Sequence, residues 1–350
     1  MLLGIGPVFW KPITAIYGRY PVFLFSVLGC ALCNLGGAFC TTYGAQMATR
    51  VLAAICICPP LGIGSGVITD LCEPQERAQK LGWWVLLITL GTPTGPFIMG
   101  FVCTRLSWHW VFYILAILNL VQFILYILLG DETLPPKDDM PEVRATNGFF
   151  DKFRFRRHDP RPLTMWAFIE PLSASRLPRI MVPIIAQSIV FCYANIALIV
   201  EMPAVFGTKF NLNSEQVGLQ FIAVIIGALL GEQLAGPGSD WYLKRANKEH
   251  GANRPAKRLW LSYIGFATSI AGLLVWGFQL DSATSTWNIT PLVGVAIASF
   301  GCQAVTTILI AFSVDSHREH ATDIGICLSV YRQVFGFVSA AMKNVNIYIN

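Results

Sequence analysis

The sequence predicts an all-α membrane protein that crosses the bilayer many times. Of its 350 residues, 54% are hydrophobic and only 13% are charged. The mean hydropathy is +0.56, and long uncharged runs recur along the whole chain. Lysines and arginines gather between alternate runs. Together these observations are typical of multi-spanning helical membrane proteins rather than of soluble globular domains.

Nine apolar runs are long enough to cross a bilayer core of about 30 Å at about 1.5 Å per residue. They lie at residues 22–43, 46–68, 81–102, 110–129, 181–203, 215–236, 259–280, 289–312 and 323–342. Residues 1–10 are also apolar but are too few to cross. We therefore expect them to be the inner part of a helix, followed by a loop over 11–20.

The basic residues set the orientation and divide the chain. They are concentrated in the loops at 11–20, 69–80, 130–178 and 237–258, whereas the opposite loops hold only Arg105 and Lys209. The positive-inside rule places the basic loops in the cytoplasm. The polar connector separates three predicted regions: an incomplete helical bundle at 1–130, a mostly unstructured cytoplasmic connector at 131–180 and a second incomplete bundle at 181–350. We expect the plasma membrane rather than the vacuolar membrane.

Four charged residues fall inside apolar runs and not at the first residue of a run, and a charge there is costly and marks a candidate functional residue. Arg50 is a candidate proton-relay or gating group, with a structural cross-helix hydrogen bond as the alternative. Arg332 is expected to face a cavity, where it would hold an anionic or polar substrate group or pair with a carboxylate. Glu201 and Glu232 are candidate proton carriers, with snorkelling or a neutral hydrogen-bonded side chain as the alternative.

The run at 81–102 contains several helix breakers, namely Gly91, Pro93, Gly95, Pro96 and Gly100. Each proline removes one backbone hydrogen bond, which frees the carbonyls of Thr89 and Thr92. Such groups are tolerated in lipid only where protein or a water-filled cavity meets them. We therefore expect this helix to line a path, Arg50 to reach the freed carbonyls, and a neighbouring backbone to pack on Gly91 and Gly95.

Two basic turns occupy equivalent places in the two halves and are the candidate gating loops. The first is Tyr17-Gly18-Arg19, and the second runs from Gly236 to Arg245 and includes Asp240 and Lys244. Duplicated halves are the construction of many secondary transporters, which bind substrate near the middle of the membrane.

These motifs resemble the major facilitator superfamily, in particular its fungal drug:proton antiporter branch. Gly91-x-x-x-Gly95-Pro96-x-x-x-Gly100 is similar to the antiporter motif of the family's fifth helix, and Arg50 matches the arginine of its fourth helix. The two basic turns resemble the loop motif that follows the second and eighth helices. Asp131-Glu132-Thr133 resembles the Pro-Glu-Thr signature. Ala15 stands where the first basic loop of the family has an acidic residue.

The resemblance implies two pseudo-symmetric helical bundles of the major facilitator type, with the first and last of twelve helices missing. It implies a monomeric, proton-coupled exporter of small organic or drug-like cations that works by alternating access. An importer of polyamines or other organic cations is one alternative, and a truncated membrane fragment that does not transport is another. The expected partners are the substrate, protons and the lipid bilayer, without nucleic acid, cofactor or metal.

The sequence indicates no catalytic or metal site. Nine of the ten cysteines lie in or beside apolar runs, which is typical of small buried apolar side chains. Cys30-x-x-Cys33 has the spacing of a metal-binding pair, but no second pair or histidine accompanies it. The sequence contains no Ser-His-Asp spacing, HExxH motif or glycine-rich phosphate loop, so we do not expect an enzyme.

Overall fold

The computed structural model describes residues 1–72, 77–134, 165–250, 255–283 and 287–349. Within those ranges the protein is almost entirely helical and contains no β-strand. The α-helices are α1 (Leu2–Tyr17), α2 (Arg19–Ala38), α3 (Tyr43–Leu71), α4 (Arg77–Arg105), α5 (His109–Leu129), α6 (Met165–Ser173), α7 (Pro178–Phe191), α8 (Leu198–Lys209), α9 (Ser214–Gln220), α10 (Ile222–His250), α11 (Leu259–Ser282), α12 (Thr290–Ser316) and α13 (Ala321–Ile349). The predicted all-α class is confirmed.

Among the residues that the structure describes, eight helical segments are long and apolar enough to cross a membrane. They are Arg19–Ala38, Tyr43–Leu71, Gln79–Arg105, His109–Leu129, Pro178–Lys209, Ser214–Tyr242, Ala256–Ser282 and Thr290–Ser316. Each contains or largely overlaps one of the predicted spans, so the protein is a multi-pass membrane protein. The ninth predicted span, at 323–342, lies within α13 and is not among the eight.

The start of the chain differs from the prediction. Helix α1 continues through Lys11 to Tyr17, and α2 begins at Arg19. Lys11 does not end the helix because its ammonium group pairs with the carboxylate of Asp323. The break falls at Gly18, whose φ of 89° is a conformation that residues with side chains rarely adopt. The predicted loop is therefore reduced to a single glycine.

Part of the connector is helical, and the expectation that the connector is mostly unstructured stays a prediction. Helix α6 is followed by a 3-10 turn over Ala174–Arg176. The Phe168 ring packs on Phe9 of α1, with ring centroids 5.9 Å apart, and the Cys327 thiol donates to the Pro171 carbonyl. The earlier part of the connector, residues 135–164, lies outside the described residues.

The Cα positions group the chain into two compact units. The first comprises Met1–Cys72, His109–Ala174 and Ala321–Val330, and the second comprises Glu73–Trp108, Ser175–His320 and Tyr331–Asn350. These units are groups of neighbouring residues and differ from the predicted pseudo-symmetric halves. The predicted boundaries of those halves, at residues 130 and 180, stay a prediction.

In the first unit, α2 packs against both α3 and α5. Gly37 lies at the meeting point, because a Cβ there would be 3.1 Å from the Phe112 ring and 3.3 Å from the Thr49 hydroxyl. Small residues at helix contacts allow this close approach inside a membrane.

In the second unit, α12 is the central helix. It packs against α4, α7, α10 and α11, and 83% of its most apolar stretch is buried. Glycine again permits close contact, here between α11 and α12. A Cβ at Gly272 of α11 would lie 2.7 Å from the Ala298 Cα of α12. This packing fixes the polar residues of α12 against the acidic residue of α10.

Candidate functional site

The carboxyl group of Glu232 is enclosed in the second unit. Glu232 lies on α10 and is 3% exposed. Its Oε2 accepts a hydrogen bond of 2.8 Å from Gln303 Nε2 and one of 2.5 Å from the Thr307 hydroxyl, both on α12. Thr307 also accepts a longer bond of 3.4 Å from the Gln303 amide. The three side chains therefore form one buried polar cluster between two membrane-spanning segments.

Two glycines leave room for the other carboxyl oxygen. A Cβ on Gly82 of α4 would collide with Glu232 Oε1, and a Cβ on Gly236 would lie 2.9 Å from the same atom. Among the residues that the structure describes, no basic side chain forms an ion pair with Glu232. In the described part of the chain this carboxyl group thus has hydrogen-bond donors without an ion-paired base, an arrangement able to bind and release a proton.

Arg332 forms a second buried polar position in this unit. It lies on α13, is 6% exposed, and its guanidinium stacks on the Phe191 ring at 3.7 Å from the centroid. Over the described ranges, Nε and Nη2 of this guanidinium have no hydrogen-bond partner. The structure therefore buries a cation against an aromatic face, as a cation–π contact, and leaves one edge of it unsatisfied.

The other charged candidates are less enclosed. Arg50 is exposed on α3, with its guanidinium 5.2 Å from the centre of the Phe112 ring in the same unit. Its contact with the carbonyls of α4 stays a prediction. Glu201 is half-buried on α8, whereas the hydrogen-bond donors of Glu232 lie on α12. The role of Glu201 as a proton carrier stays a prediction.

The glycines of α4 do not all act as predicted. No described atom lies within 4 Å of the position that a Cβ would take on Gly91 or Gly95, so the predicted close backbone contact there is wrong. The close contact is made one to two turns later, where a Cβ on Gly100 would be 2.7 Å from the Ser214 carbonyl and 3.2 Å from the Gly218 Cα. Pro96 takes part, because its carbonyl lies 3.2 Å from the equivalent position on Gly218.

The first basic turn is organised by buried Arg19. Its Nη2 lies 2.6 Å from the Asp70 carboxylate, and its Nη1 donates to the Thr133 carbonyl at 3.1 Å. The Glu132 carboxylate accepts from the backbone N–H groups of Arg19 and Tyr20 and so caps the start of α2. Neither acidic partner was identified from the sequence as part of this turn.

The second basic turn is organised by Asp240. Its carboxylate lies 2.5 Å from Arg258, which also lies 3.4 Å from the carboxylate of Asp315. Arg258 is buried. It could not be identified from the sequence because its partner Asp240 lies on α10, whereas Arg258 comes just before α11. Its position just before an apolar run was the available signal.

The remaining gating residues make peripheral contacts. Tyr17 is exposed at the end of α1, and Arg245 is exposed with its guanidinium 5.7 Å from the centre of the Trp241 ring. The side chain of Lys244 lies outside the described residues. Gly18 supplies the break between α1 and α2 described above.

Comparisons with known proteins identify the family. The Major Facilitator Superfamily model matches residues 1–340. The chain is 26% identical over 358 residues to the probable efflux pump mfs2 of Aspergillus flavus, covering 97% of this chain and 82% of that protein. It is 25% identical over 342 residues to the efflux pump radE of Floropilus chiversii, covering 95% of this chain and 63% of that protein.

Solved structures agree on the fold. The xylose transporter XylE from E. coli, in a partially occluded inward open conformation, matches with a TM-score of 0.63 at 15% identity, over 97% of this chain and 77% of that one. The human organic anion transporter MFSD10 matches with a TM-score of 0.62 at 15% identity, over 96% and 74%. At this identity the likeness shows the fold alone. With its helices, its buried polar residues and its family match, the chain belongs to the Major Facilitator Superfamily, and it is a membrane transporter of small molecules rather than an enzyme.

Proposed function

We propose that this secondary transporter is coupled to protons and exports small organic molecules by alternating access. The sequence motifs suggest the fungal drug:proton antiporter branch, and therefore drug-like cations as substrates. Two relatives that are named efflux pumps support the direction. Arg50, Gly91, Gly95, Pro96 and Gly100 would belong to the pathway, and the two basic turns would act as gates.

The observation that carries the proton coupling is the environment of Glu232. An isolated carboxylate is costly to bury, and more so inside a membrane-spanning segment. The donors on Gln303 and Thr307 support the ionised form, whereas the absence of a counterion in the described residues supports the neutral form. A group held between two such states is suited to take a proton from one side and release it to the other.

The glycines beside Glu232 support the same role. Gly82 on α4 and Gly236 on α10 border Oε1 without filling the space around it. A small movement of α4 relative to α10 would therefore change the surroundings of the carboxyl group. In a transporter that alternates between two conformations, this link allows protonation to favour one of them.

The test is transport by the purified protein in proteoliposomes with an imposed pH gradient, using ethidium as a cationic probe and 1-naphthoate as an anionic one. We expect Glu232→Gln to lose gradient-driven transport while it retains counterflow, the exchange of labelled for unlabelled probe without a gradient. Glu170→Gln is the matched control, because Glu170 is exposed on α6.

Three outcomes would contradict the proposal. Gradient-driven transport by Glu232→Gln at the wild-type rate would remove this residue from coupling. Wild-type protein that moves neither probe in response to the gradient would overturn proton coupling itself. Proton movement in the same direction as the probe would indicate symport, as expected of an importer of organic cations.

A further inference from the structure

The edge of Arg332 that lacks partners has a specific geometry. Nε and Nη2 each carry an N–H group that lies in the guanidinium plane and points outward from the same edge. They are the atoms without a hydrogen-bond partner in the part of the chain that the structure describes. This edge matches the two oxygens of a carboxylate or a similar acidic group, which binds it through two parallel hydrogen bonds.

Burial makes the missing partner significant. Arg332 is 6% exposed, and the described ranges contain no carboxylate that forms an ion pair with it. A buried cation is normally paired, because its loss of hydration is not otherwise compensated. Stacking on Phe191 stabilises one face of the guanidinium but supplies no acceptor to its edge.

The neighbouring helical segment packs closely on the part of α13 that carries Arg332. One turn beyond Arg332 on α13, the Phe335 carbonyl accepts a bond from the Cys192 thiol at 3.4 Å, and a Cβ on Gly336 would lie 2.5 Å from Ile196. Cys192 and Ile196 belong to a π-helical segment, Cys192–Ala197, between α7 and α8. Such segments are frequent at functional sites.

Two buried side-chain amide oxygens belong to residues close to Phe191 in the same helical stretch. Gln187 is one turn before Phe191 and Asn195 is about one turn after it, so they lie near the same side of the stretch. Within the described ranges, Gln187 Oε1 and Asn195 Oδ1 have no hydrogen-bond donor. The Gln187 amide itself donates to the Thr306 hydroxyl at 3.2 Å, which fixes its orientation.

We propose that Arg332 binds the acidic group of the transported molecule, and that the substrate is therefore an organic acid or a zwitterion. The inference rests on the proposed transport function and narrows the small organic molecules to those that carry an acidic group. A hydroxyl or ammonium group of the same molecule would donate to Gln187 and Asn195. A zwitterion would also carry the positive charge that the sequence motifs imply, whereas a cation without an acidic group would leave Arg332 unsatisfied.

The experiment measures binding of 1-naphthoate to the full chain in nanodiscs by quenching of tryptophan fluorescence. Its amide, 1-naphthamide, is the neutral probe of the same shape. We expect naphthoate to bind the wild type, and Arg332→Gln to weaken binding at least about tenfold, because a charged hydrogen-bonded pair is lost. Arg332→Lys keeps the charge without the parallel donors, so we expect intermediate binding.

The control variant is Arg105→Gln, which removes an arginine that is 71% exposed at the end of α4. We expect it to bind naphthoate as the wild type does. The elution volume and thermal unfolding of each variant show whether it is folded. If Arg332→Gln does not fold, Arg332→Lys together with the preference for naphthoate over naphthamide provides the test.

The outcomes separate this inference from the proposed function. Equal binding of naphthoate and naphthamide by the wild type, absence of naphthoate binding, or unchanged binding in a folded Arg332→Gln variant would overturn the anion site. Proton-driven transport of ethidium would nevertheless leave the proposed function standing. Conversely, Arg332-dependent naphthoate binding without any proton-driven transport would support the site and refute the coupling.

Discussion

The guanidinium of Arg19 lies 2.6 Å from the carboxylate of Asp70 and joins the start of α2 to the end of α3 in the first unit. The second unit has its own buried arginine at its basic turn, where Arg258 contacts Asp240. The first turn carries Ala15 where the family has an acidic residue, and Asp70 supplies the negative charge from another helix. Each basic turn is therefore held by a pair of opposite charges.

We expect Asp70→Asn to lower the free energy of unfolding by about 2 kcal/mol, because it leaves the largely buried guanidinium of Arg19 without this carboxylate. The Arg19 side chain is 8% exposed and that of Asp70 is 32% exposed, so part of the charge remains accessible to water. Denaturant unfolding of the purified protein in detergent measures the difference.

A second ion pair provides the control for Asp70→Asn. Arg105 lies 3.3 Å from Glu215, but its side chain is 71% exposed. Exposed pairs contribute about 0.2–1 kcal/mol, so Glu215→Gln is expected to have the smaller effect. Equal losses for the two variants would show that burial does not strengthen the Arg19 pair.

The cap on α2 gives a local prediction. Glu132 accepts hydrogen bonds of 2.9 Å and 3.1 Å from the backbone N–H groups of Arg19 and Tyr20. We expect Glu132→Ala to cost about 1 kcal/mol, as the loss of a helix cap does, and to speed hydrogen exchange at these two amides. Mass spectrometry resolved to single amides measures the exchange rates, with Glu170→Ala on exposed Glu170 as the control. Unchanged protection in Glu132→Ala would refute the capping role.

The fold could be predicted from the sequence because the membrane imposes long apolar helices. Hydropathy therefore located the eight spans found in the described residues, among the nine it predicted. The end of α1 was missed because the charge of Lys11 was interpreted as a loop signal, whereas its partner Asp323 is far away in the sequence. Helix α6 was not predicted because its apolar segment is too short to be recognised by length as a span, and it lies in a polar connector.

The candidate site could be predicted only in part. Glu232 and Arg332 stand out as charges within apolar runs, so a single sequence identifies them. Their surroundings depend on other helices: Thr307 is 75 residues from Glu232, and Phe191 lies on α7, remote from α13. Periodicity does not encode which faces of two helices meet. For the same reason the close contact on α4 was assigned to Gly91 and Gly95 rather than to Gly100.

Two glycines on α4 provide a matched pair for stability. We expect Gly100→Ala to destabilise the protein, because its Cβ would lie 2.7 Å from the backbone oxygen of Ser214, which cannot move freely. We expect Gly95→Ala to be neutral or to stabilise the helix by up to about 1 kcal/mol, because no described atom lies within 4 Å of its Cβ position. Thermal unfolding of both variants measures the contrast, and a larger loss for Gly95→Ala would contradict the described packing.

The strongest test of the proton site changes the space beside it and removes no polar group. A Cβ on Gly82 would collide with Glu232 Oε1, so Gly82→Ala must displace the carboxyl group from the Gln303 and Thr307 donors. We expect gradient-driven transport to fall about tenfold, the equivalent of one hydrogen bond to a charged group, while counterflow persists. Gly277→Ala on α11 is the control, because no described atom lies near its Cβ position. Wild-type coupling in Gly82→Ala would mean that the position of the Glu232 carboxyl does not control the proton, and Glu201 would then become the candidate carrier.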